Sequence, residues 1–132
     1  MDIIKIQDDK EIIALIVPYN YFSSGVNFLT SSDSTMQLAI ITEEQGHETK
    51  KHFHPDFERK ISKTMECIFV KFGKLSIDFY DNNEKYIDNY IALTGDVVFI
   101  MHGGHFIKYL QKSEIIEIRQ GPYNKEFDKI FF

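Results

Sequence analysis

Two histidines one residue apart, His52 and His54, end the run Gly46-His-Glu-Thr-Lys-Lys-His52-Phe-His54. On an extended strand, residues i and i+2 point to one face, so this pair is expected to grip a single metal ion side by side. Imidazole is the commonest metal-ligating side chain and suits Zn, Cu, Fe and Ni. A carboxylate and a further histidine follow. Glu66 opens the run Glu-Cys-Ile-Phe-Val-Lys-Phe-Gly73, with six residues between Glu and Gly. Farther on stands Gly95-Asp-Val-Val-Phe-Ile-Met-His102-Gly-Gly-His105.

This succession resembles the cupin superfamily. The first cupin motif runs Gly, five residues, His-x-His, three or four residues, Glu, six residues, Gly. The second runs Gly, five residues, Pro-x-Gly, two residues, His. The resemblance covers about residues 36–118. It implies an all-β, single-domain jelly-roll barrel of the double-stranded β-helix type over residues 1–132. It also implies a metal shell of His52, His54, Glu66 and His105 around one divalent transition metal: Fe, Mn, Ni, Co, Cu or Zn. The run Glu-Ile-Arg-Gln-Gly-Pro-Tyr123 resembles the tail of small bacterial cupins, some from polysaccharide or sugar-nucleotide gene clusters.

The chain departs from the family pattern in two places. Counting from His54, the three-residue gap lands on Glu58; counting back from Gly73, the six-residue gap lands on Glu66. Glu66 is preferred as ligand because it begins an apolar strand, whereas Glu58 sits in the charged stretch Asp56-Phe-Glu-Arg-Lys60. Glu58 is then a candidate acid/base, and His102 a candidate proton shuttle. Met101 stands where the family has Pro, and one residue is missing between Gly103 and His105.

The elements that must position these residues are short strands separated by turns. Residues 11–17 form an apolar run ended by Pro18, and residues 36–42 lead to Gly46. Residues 75–80 alternate apolar and polar, the sign of a half-buried strand. Residues 81–84, Asp-Asn-Asn-Glu, predict a hairpin-type turn. Strands are expected over 86–93, 97–101, 105–110 and 115–119, with no long helix.

Composition agrees with a β-rich globular domain: 132 residues, 12 Phe, no Trp and 14% aromatic. A net charge of −5 without a basic block argues against nucleic acid as partner. No signal peptide or membrane span is expected, so a cytoplasmic location is the default. The single cysteine, Cys67, reads as a small buried hydrophobe. Tyr19, Tyr21 and Phe22 read as packing residues or a lid, and His47 as a loop residue. The apolar tail residues Phe127, Ile130, Phe131 and Phe132 are expected to pack on the barrel or on a second subunit, and a homodimer is the expected assembly.

Three functions follow from these residues. The first is a metal-dependent enzyme, an isomerase, epimerase or dioxygenase, acting on a small polar metabolite such as a sugar derivative. The second is a non-catalytic sugar- or metabolite-binding module. The third is an accessory dimer with a vestigial metal site.

Overall fold

The computed structural model describes all 132 residues. Ten strands and one short 3-10 turn, Lys125–Phe127, make up its regular structure, so the expected all-β class is observed. No helix is long and apolar enough to cross a membrane.

The chain divides into two units. The first contains Met1–Tyr21 and Lys63–Phe132. It holds a five-stranded antiparallel sheet in the order β1 (Ile4–Gln7), β2 (Ile12–Val17), β8 (Val97–Ile100), β5 (Glu66–Phe72), β10 (Glu114–Arg119). It also holds a three-stranded sheet in the order β7 (Tyr86–Leu93), β6 (Lys74–Tyr80), β9 (Gly104–Tyr109). Neither sheet closes on itself.

Alternation decides what each face carries, because directly opposed residues on neighbouring strands share a face. Ile68 lies opposite Val98 and Glu117, and Val70 lies opposite Ile115. Across the second sheet, Ile77 lies opposite Ile107, and Phe79 opposite His105. Ile68, Val70, Val98, Ile77 and Phe79 are fully buried and belong to one hydrophobic cluster. The two sheets therefore pack face to face, each contributing its apolar face.

The turns follow the residues expected to make them. The Asp81 carboxylate accepts from the amides of Asn83 and Lys85, and Glu84 takes a positive φ of 65°. That bonding closes the hairpin between β6 and β7. At Gly103, φ is 72° and an added Cβ would lie 2.1 Å from the carbonyl oxygen of Tyr80. Only glycine fits there, immediately before the strand that carries His105.

The second unit, Phe22–Ser62, contains one two-stranded antiparallel pair, β3 (Gly25–Phe28) with β4 (Ala39–Thr42). Thr30 Oγ1 donates to Gln37 Oε1 and Gln37 Nε2 to the Ser31 and Ser34 carbonyls, closing the connection between them. No strand runs from residue 43 to 65. The stretch Lys50-Lys51-His52-Phe53-His54-Pro55 has one apolar residue to bury and a proline that cannot donate to a ladder. It takes an irregular, exposed course where a strand was expected.

Candidate functional site

The inward face of the first unit changes character at one end. Its rows are aliphatic until β5 reaches Glu66, which lies opposite Ile100 of β8 and Arg119 of β10. On the facing sheet, His105 occupies the corresponding inward position of β9, opposite Phe79. Burying polar groups here is costly unless they are paired or used. Glu66 Oε2 lies 3.7 Å from His105 Nε2, with the side chains 14% and 28% exposed. That is longer than a hydrogen bond but within range of a shared small ligand. Glu117 follows Ile115 along β10 on the same face, close enough for its carboxyl to act on Glu66.

Burial shifts both groups of the pair toward their uncharged forms. Burial, then the neighbouring Glu117 carboxyl, push the Glu66 carboxyl up to about 7, against the pull of Arg119 and Lys129. Burial lowers the His105 imidazole, Glu117 opposes that shift, and Lys129 adds to it. Around pH 7 the Glu66 carboxyl is therefore near the midpoint of its titration, beside an imidazole whose charged form burial disfavours.

A stability effect follows for metal-free protein. The folded Glu66 carboxyl titrates near 7, above its ordinary 4.5. Folding thus favours the protonated form: the contribution is complete below pH 4.5 and is lost as pH rises through 7. Glu66→Gln should flatten this part of the pH profile. At pH 8 we expect a gain of about 1–2 kcal/mol, discounted for solvent access. Melting curves in chelator from pH 5 to 8 check it; parallel profiles for both proteins would refute it.

A cavity of about 490 Å³ opens on this pair. Ile100, Gly104 and Ile107 form part of its wall, and the tail residues Asp128–Phe132 form another part. The tail is tied back at two points. Arg119 Nη1 lies 3.0 Å from Asp128 Oδ1, and the Phe132 ring meets Tyr80 edge-on at 5.2 Å. Between them, Ile130 and Phe131 remain 94% and 87% exposed. Of the apolar tail residues expected to pack, Phe132 meets the fold within this chain, through Tyr80.

The donor chemistry fits a metal. Two ligands about 2.0–2.1 Å from a tetrahedral ion sit about 3.3 Å apart, close to the Glu66–His105 separation. Within the second unit, His52 and His54 have ring centroids 5.3 Å apart, and His52 Nδ1 lies 2.7 Å from the Lys50 carbonyl oxygen. Each histidine or carboxylate pair is close within its own unit, and no group of three or more such side chains is gathered.

The other expected residues have different surroundings. His102 lines the same cavity, but its ring nitrogens face carboxylates, with Nδ1 3.0 Å from Glu11 and Nε2 3.9 Å from Asp8. Lys63 closes that cluster at 2.9 Å from Glu11. Glu58 is exposed on the irregular segment of the second unit. Its neighbour Arg59 stacks 3.6 Å over the Phe57 ring. Glu117, Arg119, Asp128 and Lys129 were not singled out from sequence, although period-two alternation along 115–119 puts Ile115, Glu117 and Arg119 on one face. Compared with known proteins, the chain has no significant match to a family model, a curated protein or a solved structure.

Proposed function

We propose that the chain is a cupin-type metal-binding protein that acts on a small polar metabolite or sugar derivative. The chemistry is of the isomerase, epimerase or dioxygenase kind. One observation carries this reading: Glu66 and His105, 3.7 Å apart, converge on a cavity of about 490 Å³. The motif spacing and the two face-to-face sheets support a jelly-roll relationship. Within the first unit, metal ligation is assigned to Glu66 and His105. A bound ion would supply Lewis-acid polarisation and orientation of a substrate oxygen.

The chain's own residues supply the rest. The Glu66 carboxyl, held near 7 mainly by burial, is matched to exchange a proton at physiological pH when it is free of metal. The aliphatic walls at Ile100 and Ile107 limit water beside the pair.

The test is thermal. Protein stripped with chelator should gain several degrees in melting midpoint when Mn, Fe, Co, Ni or Zn is restored. Its midpoint should rise again with a sugar derivative that the site accepts. A midpoint unmoved by every metal would remove this reading.

A further inference from the structure

The C-terminal tail places a carboxylate where a ligand's own anion would bind. Asp128 is met by two cations: Arg119 Nη1 is 3.0 Å from Oδ1, and Lys129 Nζ is 2.6 Å from Oδ2. Its side chain is 14% exposed, whereas Phe127 before it and Ile130 after it are 82% and 94% exposed. Asp128 is therefore the one charged point at which this tail is set into the fold. It also lines two adjoining spaces. One is the cavity that holds Glu66 and His105; the other, of about 370 Å³, is lined by Arg119, Gln120, Tyr123 and Asn124. Arg119 itself lies directly opposite Glu66 across the β5–β10 ladder.

We propose that Asp128 is an internal competitor occupying an anion subsite centred on Arg119 of β10, and that the ligand carries a carboxylate or phosphate group which displaces it. This rests on the reading that the Glu66–His105 cavity is the functional site, and it names the class of molecule that enters. An anion held by Arg119 sets the neighbouring part of the ligand beside Glu66. A planar guanidinium suits both carboxylate and phosphate, binding either through two parallel hydrogen bonds. Displacing Asp128 breaks the ion pair that ties the tail to β10.

Inorganic phosphate and acetate, titrated in parallel by calorimetry, test this without any metal, so the outcome is independent of whether the protein holds one. An internal competitor lowers apparent affinity by the fraction of time the subsite is free. Asp128→Asn keeps the side chain's shape and removes its charge. It should bind one of the two anions about tenfold tighter than the unaltered chain. The anion with the larger gain identifies the group. Adding Arg119→Gln should abolish the gain. Equal affinity in the unaltered and Asp128→Asn proteins for both anions would overturn the proposal. So would a gain that survives Arg119→Gln, because general electrostatics would then account for it.

Discussion

Replacing Asp96 with alanine is expected to lower the unfolding free energy by about 3–5 kcal/mol, a large share of what a domain of this size commands. Asp96 is 2% exposed and follows Gly95 in the turn between β7 and β8. Its carboxylate accepts three hydrogen bonds of 2.9 Å, from the amides of Tyr19 and Leu93 and from the Tyr90 hydroxyl. The turn backbone is tied in as well: Gly95 N donates to the Val70 carbonyl, and Val70 N to the Asp96 carbonyl. Alanine would leave three donors facing a space without an acceptor, and each orphaned group costs about 1–3 kcal/mol. The Tyr90 phenol registers the same environment, pushed strongly up by burial first and then by its bond to Asp96. Asp96→Asn keeps one acceptor oxygen and should cost less. Denaturant unfolding measures both; a loss under about 1 kcal/mol for the alanine variant would contradict this account of the turn.

The second large effect is on metal affinity. Glu66→Gln and His105→Ala should each weaken binding about 100-fold or more, beyond what loss of an outer-shell partner causes. Glutamine preserves the shape of Glu66 but offers a neutral oxygen, and metal binding needs the ionised carboxylate. Glu58→Gln should leave affinity unchanged, because Glu58 is exposed on an irregular segment. Competition against a chromophoric chelator resolves the three variants. Loss confined to Glu58→Gln would mean that the ligand is the glutamate counted from His54.

How far the sequence carried depended on how many apolar residues a segment had to bury. Residues 86–93 form a strand with the expected bounds, and those over 75–80, 97–101, 105–110 and 115–119 lie within a residue of expectation. Each has a clear apolar face that only one register can bury. β1 and β3 were not anticipated: four residues give too little alternation to recognise. The period-two argument failed at His52 and His54, where Pro55 and a single Phe leave no apolar face to dock.

Glu66 and His105 were picked out through the resemblance to the cupin motifs, and the structure sets them 3.7 Å apart. The spatial neighbours Arg119, Asp128 and Lys129 were not picked out. Their meeting depends on the tail folding back across β10, and no local pattern encodes that return. Asp96 was hidden for a related reason: a turn aspartate normally bonds its own backbone. Here it also reaches Tyr19 from a distant part of the chain. Tyr19 itself serves through its amide, while its side chain stays 64% exposed.

The central claim is a metal held through Glu66 and His105. Its most direct test is elemental analysis of protein purified without chelator or affinity nickel. The account predicts about one transition-metal ion per chain, lost in Glu66→Gln and His105→Ala. A preparation with no stoichiometric transition metal, or with the same content in both variants, would contradict it.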